Sequence, residues 1–195
     1  MVQKQFATEN RMRQLQVFRI DEYDDHVELD KLLTPDLDGV DVPRMIDGKP
    51  VTVIGEACFF NCDEIKEVNI PDSVTTIGAQ SFALCRGISE LLLPDSIVNI
   101  GPHAFRDCSG LKKAVLPKNL KVLPMGMFAF CRLTDPEIIL PEGLEIISAN
   151  AFWDAGSFDL KIPDSVTEIG VGAFNHGPRP ITKLPEDRRW FLEGV

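Results

Sequence analysis

The chain has 195 residues, close to one domain at about 150 residues each, and 44% of them are hydrophobic, which excludes a disordered chain. No run approaches the roughly 18 uninterrupted apolar residues of a membrane-spanning helix. Thirty Asp and Glu against 20 Lys and Arg leave a net charge of −10, which argues against nucleic acid and anionic lipid surfaces as partners.

Residues 1–16 are polar and carry no clear apolar stripe, so they read as an N-terminal arm or a loosely held helix. The start, Met1-Val2-Gln3-Lys4-Gln5-Phe6, lacks the apolar core of a signal peptide. Five cysteines are an odd number in a chain large enough to bury a core without staples. Free thiols in a reducing, cytoplasmic compartment are the expectation. Residues 17–50 form a second segment: 17–33 alternate around Phe18, Ile20, Val27 and Leu29, which predicts a hairpin laid as a cap over a first partial rung.

From residue 51 to 185 the chain repeats. Pro71, Pro94, Pro117, Pro141, Pro163 and Pro185 are spaced by 23, 23, 24, 22 and 22 residues, each preceded by Ile or Leu. Three, six, eleven and fourteen residues after the first five prolines come four further series. They are Val74, Ile97, Leu120, Leu144 and Val166; Ile77, Ile100, Leu123, Ile147 and Ile169; Phe82, Phe105, Phe128, Phe152 and Phe174; and Cys85, Cys108, Cys131, Ala155 and Gly177. An upstream unit offers Val51, Ile54, Phe59 and Cys62 in the same order. All length changes fall between the Cys position and the next Pro, so one side of each coil is constrained and the other free. Units that stack by identical contacts behave this way.

Within a unit, Glu67-Val68-Asn69-Ile70 and Lys113-Ala114-Val115-Leu116 alternate and predict short strands. Pro ends each strand because it cannot donate to the ladder, and Pro-Asp-Ser makes the turn that follows. Phe82, Cys85 and Ile88, three apart, predict a single helical turn. Gly78, Gly101 and Gly170 share a position with Pro124, which cannot take a positive φ; close packing between coils is therefore the expected reason for glycine there. The pattern stops at the last proline, where Arg188 replaces the apolar residue. Residues 186–195 are expected to be a C-terminal cap, with Trp190 and Phe191 closing the last rung.

The segments PDSVTTIGAQSFALC (71–85), PDSIVNIGPHAFRDC (94–108) and PDSVTEIGVGAFNHG (163–177) resemble the BspA-like leucine-rich repeats, with their unit of about 23 residues. The resemblance covers about residues 40–187. It implies an α/β repeat solenoid of six coils with short parallel strands, turns and single helical turns, capped at both ends. It also implies a binding role without catalytic residues, often as part of bacterial or protist surface proteins associated with adhesion. A cell-surface or secreted location is therefore the alternative to the cytoplasm.

Several side-chain series invite chemistry. Cys62, Cys85, Cys108 and Cys131 form a ladder, and Cys58 takes a small position shared with Ser81, Ala104, Ala151 and Ala173. All read as buried free thiols rather than as metal ligands or disulfides, because ladder side chains point the same way. His26, His103 and His176 occupy unrelated, variable positions and are expected to be exposed. The acidic run of Asp21, Glu22, Asp24, Asp25, Glu28 and Asp30, then Asp36, Asp38 and Asp41, lacks calcium-loop spacing and reads as a solvated, charged cap. Glu67 and Glu90 lie one rung apart as in a glycosidase pair, but on an open face with nothing to raise a pKa. No cofactor, metal or catalytic residue is expected.

The outward strand residues are more informative. Four before each proline stand Glu67, Glu90, Lys113, Glu137, Asp159 and Ile181; two before stand Asn69, Leu92, Val115, Ile139, Lys161 and Lys183, with Asp41 extending this column upstream. Leu92, Val115 and Ile139 form an aliphatic stripe on a face that should meet water, and such patches mark interaction sites. The expected function is a non-catalytic protein-interaction module. Leu92, Val115 and Ile139 would anchor the partner, and Glu67, Glu90, Lys113, Glu137, Lys161 and Lys183 would orient it. The alternatives are a carbohydrate-binding or carbohydrate-acting solenoid and a self-assembling structural or adhesion protein.

Overall fold

Val2–Glu9, eight residues expected as an arm or a helix, form a strand instead. The computed structural model describes residues 2–9, 15–134 and 136–181. Strand β1 (Val2–Glu9) runs antiparallel to β2 (Leu15–Glu22), which runs antiparallel to β3 (Val27–Leu32). The expected 17–33 hairpin is therefore present, and β1 extends it into a meander. Alternation is visible in the second half of β1: Phe6 and Thr8 are half-buried, with Phe6 packed on the core, and Gln5 and Ala7 between them are exposed, while Lys4 ion-pairs with Glu22.

Beyond the meander the strands are short: β4 (Gly39–Asp41), β5 (Met45–Ile46), β6 (Lys49–Ile54), β7 (Glu67–Asn69), β8 (Thr76–Ile77), β9 (Glu90–Leu92), β10 (Asn99–Ile100), β11 (Lys113–Val115), β12 (Val122–Leu123), β13 (Glu137–Ile139), β14 (Ile146–Ile147), β15 (Asp159–Lys161), β16 (Glu168–Ile169) and β17 (Arg179–Ile181). Each coil contributes one strand to each of two rows. The row before the prolines holds β4, β7, β9, β11, β13, β15 and β17, all paired in parallel where they pair. These make about seven turns, one more than the six expected. The second row, five and six residues after each proline, was not foreseen. It joins β3, β6, β8 and β10 into one sheet with β1 and β2, and β12, β14 and β16 into another.

The fold is thus a solenoid of short parallel strands, but no helix occurs among the described residues. Where a helical turn was expected, residues 55–62 form successive turns. The N–H groups of Cys58, Phe60 and Cys62 close locally on Gly55, Ala57 and Phe59 carbonyls. Those of Ala57, Phe59 and Asn61 reach across to Ala79, Ser81 and Ala83 of the next coil. A helix would use every N–H within itself and leave none for the neighbour. The alternation needs a left-handed residue every fourth position, met by Ala57 and Asn61, Gln80 and Leu84, His103 and Asp107, Gly126 and Phe130, Asn150 and Asp154, and Gly172 and His176. The three-residue spacing of Phe82, Cys85 and Ile88 is that of stacked turns.

The core is a set of one-residue columns. Phe59, Phe82, Phe105, Phe128, Phe152 and Phe174 are buried and stack with centroids 4.7, 5.2, 6.3, 5.4 and 5.8 Å apart. Each such pair contributes about 0.5–1.5 kcal/mol beyond area burial. Phe18 of β2 meets Phe59 edge-on at 6.0 Å. Gly78, Gly101 and Gly170 have no positive φ. A Cβ on Gly101 would lie 2.7 Å from the Gly78 carbonyl carbon, and on Gly170 it would lie 2.8 Å from the Ala149 Cα. Glycine sits there for close approach, as expected.

The fourth coil departs from this regularity. The N–H groups of Gly55, Gly78, Gly101, Ser148 and Gly170 each donate to the preceding coil, at Leu29, Ile54, Ile77, Leu123 and Ile147. Pro124 stands in that series and has no N–H to offer Ile100. The second row breaks there, between β10 and β12. Met127 is fully buried in the column held elsewhere by Cys58, Ser81, Ala104, Ala151 and Ala173, and its added volume accompanies the widest ring spacing, 6.3 Å between Phe105 and Phe128.

Candidate functional site

Strands β9, β11 and β13 form one three-stranded parallel sheet in the register Leu92, Val115, Ile139 and Glu90, Lys113, Glu137. Leu91 and Ala114 point inward and are buried, so their neighbours must point out. Leu92 is 54% and Ile139 47% exposed, with Val115 half-buried between them. The aliphatic stripe is therefore continuous and open to solvent.

Its surroundings are only partly as expected. Asn69 lies in β7, which pairs with β4 in register with Asp41, and its Nδ2 donates to Asp41 Oδ1 at 2.8 Å. Strand β7 lies beside β9 without ladder pairing. Lys161 lies on β15, in a separate sheet. The last unit differs from the expected register: Lys161 is opposite Ile181 and Asp159 opposite Arg179. Ile181, 45% exposed, thus occupies the place assigned to Lys183, and Arg179 the place assigned to Ile181. The 22-residue proline spacing misled here, because the strand already holds Pro180 at its inward position. Lys183 itself lies outside the described residues, as do Arg188, Trp190 and Phe191.

The cations of this face are engaged. Lys113 Nζ lies 3.2 Å from Glu137 Oε2, and Lys161 Nζ lies 3.4 Å from Glu142 Oε1. Arg179 grips Asp159 with two hydrogen bonds, Nε to Oδ1 at 2.8 Å and Nη2 to Oδ2 at 2.7 Å, and holds its carboxyl below the usual range. Among the described residues the Glu67 carboxylate accepts a single side-chain hydrogen bond, from Asn69 Nδ2 at 3.2 Å. Glu67 and Glu90 are exposed and have no ion pair among the described residues. Upstream of the stripe the face is left negative.

Elsewhere the candidates resolve one by one. All five cysteines are free and buried. The thiols of Cys85, Cys108 and Cys131 donate to the Phe59, Phe82 and Phe105 carbonyls of the preceding coil, at 3.0, 3.2 and 3.3 Å. Burial pushes Cys85 and Cys131 up to about 12 and Cys62 to about 11, so none is poised as a nucleophile. Among the described residues no cluster has the makings of a metal site. His103 is half-buried rather than exposed, its imidazole folded against Gly126 of the next coil. The acidic segment is not uniformly solvated either. The β2–β3 register sets Asp21, 8% exposed, opposite Glu28, and burial followed by the Asp21 charge pushes the Glu28 carboxyl upward.

Six copies of the BspA type leucine rich repeat region match residues 45–158 and 136–179, more than half of the chain. The chain belongs to the BspA type leucine-rich repeat family. As a family of repeat scaffolds it indicates no catalytic class. The fold of this BspA type protein is similar to that of solved bacterial structures. A leucine rich repeat protein of T. pallidum is 23% identical, covers 90% of this chain and 92% of its own, and has a TM-score of 0.69. A leucine rich cell surface protein of Faecalibacterium prausnitzii is 23% identical with a TM-score of 0.60, covering 91% of this chain and 55% of its own. One from Eubacterium ventriosum is 20% identical with a TM-score of 0.61, covering 86% and 51%. This chain thus spans about half of the latter two. No curated protein matches it. No described helix is long and apolar enough to cross a membrane.

Proposed function

We propose that this BspA type repeat protein is a non-catalytic interaction module that holds a protein partner on the strand face of β9, β11 and β13. The observation that carries the reading is the exposure of Leu92 and Ile139 in unbroken register with Val115. Burying such side chains yields about 25 cal/mol per Å² of apolar area. In the repeat pattern Lys161 follows Ile139 in the same outward column, on β15 of a separate sheet. The same reading takes the β1–β3 meander as a cap over the first coil, the expected cap at 186–195 lying outside the described residues, and the five unpaired thiols favour a reducing compartment.

The test is capture from a native lysate by the wild type and by a Leu92→Lys, Val115→Lys, Ile139→Lys variant, after far-ultraviolet circular dichroism has shown that both fold alike. A protein retained only by the wild type is the expected result. Equal retention by both removes the stripe from the binding site. Concentration-dependent sedimentation that the variant abolishes gives the stripe to self-association instead.

A further inference from the structure

The three aliphatics lie on adjacent parallel strands, so the stripe is about 10 Å long at roughly 4.8 Å per rung. An α-helix presents residues i, i+3 or i+4, and i+7 on one face over about 10.5 Å, whereas alternate residues of a strand fall roughly 6.6 Å apart and lose register with the rungs. The charges supply the second half of the argument. Among the described residues the three cations of the outward columns, Lys113, Lys161 and Arg179, are tied to Glu137, Glu142 and Asp159. Glu90, on the same strand as Leu92, and Glu67 one coil further up have no counter-ion among the described residues. With a net charge of −10, the molecule attracts cationic segments and turns acidic ones away.

We infer that the occupant of the stripe is an amphipathic helical segment of another protein. Its aliphatic face covers Leu92, Val115 and Ile139, and Lys or Arg residues on one flank, toward the Leu92 end, meet Glu90 beside Leu92 and Glu67 one coil up. This inference rests on the reading of the strand face as an interaction surface and adds the chemistry of the partner.

The test is selection of a random peptide library displayed on phage against the full chain, with counter-selection on a Leu92→Ser, Val115→Ser, Ile139→Ser variant. These neutral substitutions remove the apolar stripe without adding charge. The expected consensus has aliphatic residues three or four apart and Lys or Arg at one end. Peptides made from it should bind at least tenfold more weakly to a Glu67→Lys, Glu90→Lys chain, and more weakly as salt rises from about 0.05 to about 0.5 M. A consensus that alternates every second residue, that lacks basic residues, or that binds the charge-reversed chain equally well overturns the inference and leaves the interaction surface standing. Failure to select any peptide that discriminates against the serine variant, with both chains folded, overturns the interaction surface itself. If the serine variant does not fold, the charge-reversed chain serves for counter-selection, and an unchanged consensus overturns the basic partner.

Discussion

At the scale of single residues the stack is governed by what fits between coils. Gly101 has room for no Cβ, because the Gly78 carbonyl carbon and the Ala79 Cα would lie 2.7 and 2.8 Å away, and its φ is not positive. Gly101→Ala should therefore act through overpacking alone and cost about 1–3 kcal/mol in urea denaturation. A cost below a few tenths would mean that the coils move apart freely. The thiols set the pH response. Cys85 and Cys131 are raised to about 12 by burial, while in the unfolded chain they ionise near 9. Between those values the unfolded state carries fewer protons, so stability is full below pH 9 and is lost as pH rises toward 12, at up to about 1.4 kcal/mol per pH unit for each thiol. Melting temperatures from pH 8 to 11 check this, and Cys85→Ser should flatten the decline.

Elements show where sequence pattern is informative and where it is not. Val68, Leu91 and Ala114 alternate with outward residues, and the strands before the prolines were readable from that alternation. The second row was not, because strands of two residues such as Thr76–Ile77 are too short to alternate. Three-residue spacing cannot separate a helix from successive turns; only the left-handed residues at Gln80 and Leu84 do so, and neither residue type announces that conformation. The aliphatic stripe was legible because side-chain period and coil period are both fixed. The Ile181 register and the Lys113–Glu137 pair were not, since a variable loop sets the first and side-chain torsions the second. The fourth coil offers a test of element pairing. Ser148 occupies the place of Pro124 one coil later and donates to Leu123 at 2.9 Å. Pro124→Ser should restore the missing donor to Ile100, join β10 to β12 and add about 0.5–1.5 kcal/mol in urea denaturation. A slowly exchanging amide at residue 124 would be its signature, and rapid exchange there would show that β10 and β12 stay apart.

For the molecule as a whole, stability is a sum of coil terms and nearest-neighbour interfaces, and the interface between Phe105 and Phe128 combines the widest ring spacing of the phenylalanine column with a break in the second strand row. The amides of His103, Phe105 and Asp107, which bridge to Met125, Met127 and Ala129, should exchange at least tenfold faster than those of Gly126, Phe128 and Phe130, which bridge the next interface, where both strand rows pair, or about 1.4 kcal/mol less protected. Equal rates would mean that the turn ladder alone carries the cooperativity. Mechanically, the stack is then a rod with a compliant joint at that interface. Leu92 lies on one side of that joint and Ile139 on the other, so a rigid body lying along both would act as a splint. Its arrival would be felt as stiffness in residues that it never touches.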